Sequence, residues 1–331
     1  MKKPTMNDVA KAAGVGRGTV SNYINGLNVR SETKKRIQLA IDDLGYIPNL
    51  QARELKTSKN STVVLIVPTS WTPFFSELVY KMQIELNSHG YKMILTNSQN
   101  DSEEEEEILK MASLNQVSGV ITMSYSDVYN FLNIDKRLNL VSIERYVSEN
   151  VPLITSDNYA GGQLAAKKLI EMGSKRFLLL RREVTHHNAT DVRTQGFKDY
   201  ITSKHYPLDI FEATLQPSYR EEYSEYLKSH YSNGVFPFDG IFAVTDEYGQ
   251  IAQKALAKLD INLLKKVHIV GFDGSRISRD SPLMISSIRQ PVDEIVKESV
   301  AVLLKKINGM PIQKNYKKVL PVTFVDTKNN F

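Results

Sequence analysis

The stretch GVGRGTVSNYING, Gly14–Gly26, decides how the head of the chain folds. Gly14 and Gly16 begin a G-x-G-x-x-G phosphate loop, but Thr19 stands where the third glycine belongs. That loop works at the end of a strand, where backbone presses on a pyrophosphate at a helix N-terminus. The preceding TMNDVAKAA has no β-branched or alternating run. Thr5 can cap a helix there, Asp8 completes a capping box, and Met6, Val9, Ala10 and Ala13 recur on one helical face. A helix therefore leads into the glycines, and they read as the turn of a helix-turn-helix. Gly14 suits the φ > 0 of a tight turn, Val15 plugs it, and Val20 and Ile24 face inward from the second helix. Arg17, Gly18, Ser21, Asn22 and Asn25 are left pointing outward. Short polar groups with one arginine suit base edges in a major groove, although a plain helical bundle with a solvated face gives the same pattern.

Charge favours the first of these. Residues 1–60 hold eleven Lys/Arg against five Asp/Glu, and the other 271 hold 31 against 32, so the net +5 of the chain originates in its head. A basic head on a near-neutral body is what phosphate binding requires. A third helix opens at Ser31, carries Ile37, Ala40, Ile41 and Leu44 on one face, and stops at Gly45. Beyond it, YIPNLQARELKTSKNS holds a helical segment too short to be stable alone, which would order only on a partner. Leu55 within it is either an apolar wedge for a widened minor groove, paired with its twin from a second subunit, or an incidental leucine on a tether.

From residue 62 the pattern changes to short apolar β-rich runs: TVVLIVP, YKMILTN, GVITM, NLVSI, PLITS, RFLLL, GIFAV, VHIVGF and MISSI. Amphipathic segments around 75–88, 160–172, 247–259 and 292–307 lie between them, and the acidic DSEEEEE, Asp101–Glu107, charges the N-terminus of another. This alternation predicts α/β architecture, doubly wound parallel sheets in two lobes, with a ligand in the cleft at the carboxyl ends of the strands. The chain has no cysteine, hence no disulfide or thiolate metal site, and neither an export signal nor an apolar run of membrane-spanning length. A cytoplasmic location without membrane association is the expectation. His186–His187 reads as a polar loop rather than a metal site, and no metal or cofactor is expected. G-x-S-x-G, P-loop and H-E-x-x-H patterns are missing, which argues against an α/β enzyme; a solute-binding protein for uptake would carry the export signal and lack the basic head. Trp71, the single tryptophan, follows the first strand and is either a stacking platform for a ligand or a lobe-surface aromatic.

The head TMNDVAKAAGVGRGTVSNYING with LGYIPNLQARELK behind it resembles the DNA-binding headpiece and hinge of LacI/GalR-family transcriptional regulators. The body resembles the same family in PFFSEL, SDNYAGG, R-T-Q-G-F from Arg193, TDEYG, VGFDG and SSIRQP, and more locally, through NSQND, SSIRQP and LLKKI, its sucrose-operon repressors. The resemblance implies an all-α helix-turn-helix headpiece at 1–48, a hinge helix at 49–60 and a two-lobed periplasmic-binding-protein-like body at 61–331. Three lobe crossings would give the first lobe about 62–158 and 290–321, the second about 159–289 and 322–331. It further implies a homodimer on a near-palindromic double-stranded operator, most simply a repressor of carbohydrate-utilisation genes governed by a sugar or sugar phosphate; a non-sugar metabolite or a corepressor is the alternative. By position, Arg17, Gly18 and Asn22 stand where family members read major-groove bases, Leu55 where the hinge enters the minor groove, and Thr5, Ser21, Asn25 and Tyr46 where phosphates are met. Gly16 and Gly18 depart from bulkier or hydroxyl-bearing residues, so the code leans on Arg17 and Asn22. Phe75, Arg193, Asp246 and Asp273 align with the effector pocket, an aromatic for a sugar ring and charges for its hydroxyls. Gln290 stands at a crossover as ligand contact or hinge.

Overall fold

The computed structural model describes residues 4–24, 26–46, 61–123, 138–184 and 188–327. Asn25, the hinge segment 49–60 with Leu55, and His186–His187 lie outside them. The chain divides into two compact units, Met1–Asn60 and Ser61–Phe331.

In the head, α1 (Met6–Ala12), α2 (Arg17–Ile24) and α3 (Ser31–Leu44) enclose a small core. The Asp8 carboxylate accepts from the Thr5 amide at 2.8 Å and from the Thr5 hydroxyl at 2.6 Å, which fixes the first turn of α1. Gly14 takes φ +62°, and the Val15 amide donates back to Ala10, closing the turn. Val9, Val20 and Ile37, one from each helix, are fully buried together. The apolar stripe of α3 fades along its length: Ile37 and Ala40 are buried, Ile41 is half-buried and Leu44 is exposed. Helix α3 has fourteen residues against seven in α1 and eight in α2, so its last turn outruns the helices it packs on.

Among its described residues the body contains two six-stranded sheets. The first has the order β11-β5-β4-β3-β1-β2, from β1 (Thr62–Val67), β2 (Lys92–Asn97), β3 (Gly119–Thr122), β4 (Leu140–Ile143), β5 (Leu153–Ser156) and β11 (Lys317–Leu320), all parallel. The second has the order β12-β10-β9-β8-β6-β7, from β6 (Phe177–Arg182), β7 (Leu208–Ala213), β8 (Gly240–Ala243), β9 (His268–Asp273), β10 (Ser286–Arg289) and an antiparallel β12 (Thr323–Val325). Each sheet is covered on both faces, and the two-residue period of a strand shows how. Val63, Leu65 and Val67 of β1 join one core with α4 (Pro73–Ser88) and α11 (Val292–Ile307), while Val64 and Ile66 join another with α5 (Ser102–Leu114). In β6, Leu178 and Leu180 face α8 (Tyr219–Ser229) and α9 (Asp246–Leu259); Phe177 and Leu179 face α6 (Asn158–Glu171) and α7 (Ala189–Ser203). A single turn, α10 (Leu263–Lys266), precedes β9.

Strand β5 of the first sheet leads directly to α6 of the second lobe, β10 of the second sheet leads to α11 of the first lobe, and β11 leads to β12. The sequence pattern finds nine of these strands and misses β7, β11 and β12, all at sheet edges, along with α7, α8 and the single turn α10. The Asp101 cap is as expected, its carboxylate accepting from the amides of Glu103 and Glu104, but Glu105 is buried and takes a hydrogen bond from Thr122.

Candidate functional site

In the head, Thr5, Arg17, Gly18 and Asn22 are exposed and Ser21 is half-buried. The Tyr23 hydroxyl donates to Gln38 at 2.5 Å and the Gln38 amide donates to Asp42 at 2.8 Å, so α2 is fixed against α3 at the end opposite Arg17. Tyr46 departs from the other residues expected at phosphates. It is mostly buried in the head core, because its amide closes the α3 C-cap on Ile41 and turns the ring back onto the helices.

The body brings Arg193, Asp273 and Gln290 into a closed polar circuit at the lobe crossings. Arg193 lies on α7, buried, with its guanidinium 3.7 Å from the centre of the Phe272 ring. Its Nε donates to Asn158 Oδ1 at 2.8 Å and its Nη1 to the Val244 carbonyl at 2.9 Å; Nη1 is 3.7 Å from Asp273 Oδ1. That carboxylate oxygen accepts from Gln290 Nε2 at 2.7 Å, and Gln290 Oε1 accepts from the Ser156 hydroxyl at 2.8 Å. Glu144 completes the circuit, its carboxylate accepting from the Ser156 amide and from Asn158 Nδ2, both at 2.6 Å. Every member sits at the carboxyl end of a strand or on the helix that follows, so the two sheets meet by those ends.

Glycine makes the approach possible. A Cβ at Gly162 would lie 2.1 Å from the Arg193 carbonyl, and one at Gly196 would lie 2.1 Å from the Tyr159 carbonyl. Facing glycines in SDNYAGG and R-T-Q-G-F let α6 and α7 touch backbone to backbone, which carries Asn158 to Arg193. Two non-glycine members hold positive φ, Glu144 at 62° and Asp273 at 123°, backbone strain held at the places where their carboxylates enter the circuit.

Burial dominates the electrostatics. It pushes the Asp273 carboxyl up to about 6; Arg193 and Gln290 draw it down, and Glu144 pushes it further up. Asp246 is displaced upward by its own burial and then by the charge of Asp273. Its carboxylate accepts from the Ser287 hydroxyl and, at 2.9 Å, from the Ser275 amide. Asp246 thus clamps the turn after β9 from inside the second lobe and shapes the site through Asp273. Gln290 is 1% exposed and braces Ser156 against Asp273, which makes it a strut of the crossing. Phe75 lies in the first turn of α4, packed edge-on against Phe74 at 5.2 Å, and Trp71 is 90% exposed; neither joins the circuit.

Sequence reasoning misses Glu144, Asn158 and a second bridge between the lobes. Arg289, at the end of β10, holds the Glu77 carboxylate of α4 with both terminal nitrogens, at 2.9 and 2.5 Å. Glu77 also meets Lys81 at 2.8 Å, and Lys81 meets Asp293 at 2.8 Å. Burial raises the Glu77 carboxyl, but the hydrogen bonds from Arg289 and Lys81 outweigh it and hold the group below its ordinary range. Asn158 and Arg289 lie inside the motifs SDNYAGG and SSIRQP; Glu144 carries no signal beyond its place after a strand. An open recess of roughly 350 Å³ lies along α7, bounded by Tyr159, Arg181, Asp191, Val192, Thr194 and Gln195. Among the described residues no group of three His, Asp or Glu could hold a metal, and no helix is long and apolar enough to cross a membrane.

Residues 5–49 match the family model "Bacterial regulatory proteins, lacI family", and residues 60–288 match "Periplasmic binding proteins and sugar binding domain of LacI family". A sucrose operon repressor of Streptococcus mutans is 33% identical over 96% of this chain and 96% of its own length. A periplasmic binding protein/LacI transcriptional regulator of Alkaliphilus metalliredigens, solved with D-xylulofuranose, is 26% identical and superposes with a TM-score of 0.70, covering 81% of this chain and 98% of that one. The lac repressor dimer bound to operator shares the fold at a TM-score of 0.80 and 20% identity, over 98% of each chain. A helix-turn-helix head that exposes Arg17 and Asn22, joined to a two-sheet body with a polar circuit at its crossings, thus has counterparts along its whole length: the chain belongs to the LacI family of bacterial regulatory proteins, a family of regulators and not of enzymes.

Proposed function

We propose that this LacI-family chain represses carbohydrate-utilisation genes, holding a near-palindromic operator as a homodimer and releasing it when a sugar enters the body between the lobes. The observation that carries the reading is the circuit itself. A ligand that hydrogen-bonds Arg193 and Asp273 touches groups tied through Asn158, Ser156, Gln290 and Glu144 to both connections β5–α6 and β10–α11, so its binding energy differs between lobe arrangements. Moving a two-state equilibrium from 1:99 to 99:1 takes a preference of about 5.5 kcal/mol, a few charge-assisted hydrogen bonds. Arg17 and Asn22 read bases, an arginine suiting guanine and an asparagine adenine, and Thr5 and Ser21 meet phosphates. Asn25 and Leu55 keep the roles the resemblance implies. Tyr80 and Ile84 of α4 and Ile94 of the edge strand β2 are exposed apolar groups on the first lobe, which supports pairing of two copies there. The sucrose operon repressor name of a relative and the sugar in a solved neighbour support a carbohydrate effector. The chain is proposed to act in the cytoplasm and to catalyse no reaction.

Selection of duplexes from a random library by the full chain, followed by competition with scrambled DNA, tests this. An inverted repeat should be enriched and a sugar should release it. Binding that ignores symmetry, or that no sugar alters, overturns the reading.

A further inference from the structure

We infer that the effector is an uncharged sugar and that the phosphate ester of the same sugar is rejected; the inference rests on the sugar-responsive reading of the body. A phosphate site is built from open helix N-termini and unpaired guanidinium or ammonium groups. Among the described residues where the two sheets meet, the second lobe's first helical turns carry carboxylates and the guanidiniums have partners.

The first helical turns beside the strand ends carry carboxylates. Asp157 accepts from the Ala160 amide at the start of α6, Asp191 from the Asn188 amide at the start of α7, and Glu222 from the Thr214 amide beside α8. Asp246 opens α9 with Glu247 next to it. Helix α4 has no carboxylate in its first turn; Pro73 removes one of its amide donors and the half-buried Phe75 lays apolar surface beside the others. A dianion approaching the first turns of α6, α7, α8 or α9 meets fixed negative charge, where a hydroxyl group finds acceptors.

The arginines described at these ends are engaged as well. Arg193 faces Asp273, Arg289 grips Glu77, Arg220 meets Glu247 at 2.6 Å, and Arg181 is shared by Asp191 at 2.7 Å and Glu212 at 2.8 Å. Arg182 donates to the carbonyls of Thr214 and Leu215 and lies 4.0 Å from the centre of the Tyr219 ring. A phosphate could take Arg193, Arg289, Arg220 or Arg181 only by leaving a carboxylate unpaired within a few ångströms of its own charge, and Arg182 only by stripping the Thr214 and Leu215 carbonyls of their donor. The recess along α7 offers the Tyr159 ring, the Asp191 carboxylate, the Thr194 hydroxyl and the Gln195 amide, groups that accept from or donate to hydroxyls and stack on a pyranose face.

The test is titration calorimetry of the full chain with matched pairs: sucrose and sucrose 6-phosphate, glucose and glucose 6-phosphate, fructose and fructose 6-phosphate, at about 0.1 and about 0.5 M salt. One uncharged sugar is expected to bind at least tenfold more tightly than its phosphate ester, with a Kd that changes less than twofold between the salts. Asp191→Asn and, separately, Glu247→Gln, which release Arg181 and Arg220, should narrow the gap by raising affinity for the ester. An ester that binds as tightly as its parent sugar overturns the inference and leaves the sugar-responsive reading standing. A gap that neither variant narrows overturns the electrostatic basis of the rejection. Absence of binding by both members of every pair overturns the sugar-responsive reading, and the inference with it.

Discussion

The head and the body handle polar groups in opposite ways. On α2, Arg17, Gly18 and Asn22 stand in solvent, ready to bond something outside the molecule. In the body, Arg193, Asn158 and Gln290 are buried and already bonded inside the molecule, Arg193 to Asn158 and Gln290 to Asp273. A reading surface must be open and locally encoded, since three residues on one helix suffice for it. A coupling site must be closed and assembled from distant segments, since its purpose is to make one part of the chain feel another.

Removing the centre of the closed site should have the largest effect. Arg193→Ala leaves Asn158, the Val244 carbonyl and Asp273 without their shared donor, and loss of one partner from a buried pair costs roughly 3–5 kcal/mol. Urea unfolding of the full chain should show that loss in the body transition, together with loss of any sugar response. A variant that unfolds like the parent and still responds removes the circuit from the mechanism.

The charge state of the same site leads to the next prediction. The Asp273 carboxyl is raised in the folded chain, so the folded state binds the proton more tightly than the unfolded one. The stability this provides is full below the ordinary value near 3.8 and is lost as pH rises through about 6. Asp273→Asn stays neutral throughout. Its stability relative to the parent should therefore climb between pH 4 and 6, by about 3 kcal/mol at most, and level off above. Parallel stability curves over that interval contradict the assignment.

The same contrast explains what can be read from the sequence. Central strands such as β1 and β6 are unbroken apolar runs because both faces are covered, and they stand out. Edge strands β7 and β11 carry Asp209, Glu212, Lys317 and Lys318, charges suited to an exposed edge, and they disappear into the loops around them. Arg193, Asp273 and Gln290 are legible through family blocks, whereas Glu144 is not legible at all. The bonds of the circuit join residues 14, 35 and 134 positions apart, and no periodicity within one segment reports such a meeting. Asp246 falls in the expected neighbourhood, but spacing says where a carboxylate is and nothing of the serine hydroxyl that donates to it.

On the open side, Arg17→Ala should cost roughly 1–3 kcal/mol at one base pair per half-site and leave the stability of the head nearly unchanged, since the side chain is exposed. Binding to the selected operator and to its single-pair variants separates base reading from phosphate contact. An equal loss on every sequence reassigns Arg17 to the backbone.

Gly18 has the smallest expected effect and makes the sharpest contrast with the body. A Cβ at Gly162 collides with the Arg193 backbone, but a Cβ at Gly18 meets nothing within 4 Å, and the residue has ordinary helical geometry. Nothing inside the head therefore requires glycine there. Gly18→Ala should stabilise the head by about 0.5–1 kcal/mol through lower backbone entropy in the unfolded chain. If glycine is instead required from outside, by close approach of the DNA, the same substitution will weaken operator binding while raising the melting temperature. Opposite signs in the two measurements place the constraint in the groove; a gain in stability with unchanged binding shows that the departure at this position carries no part of the code.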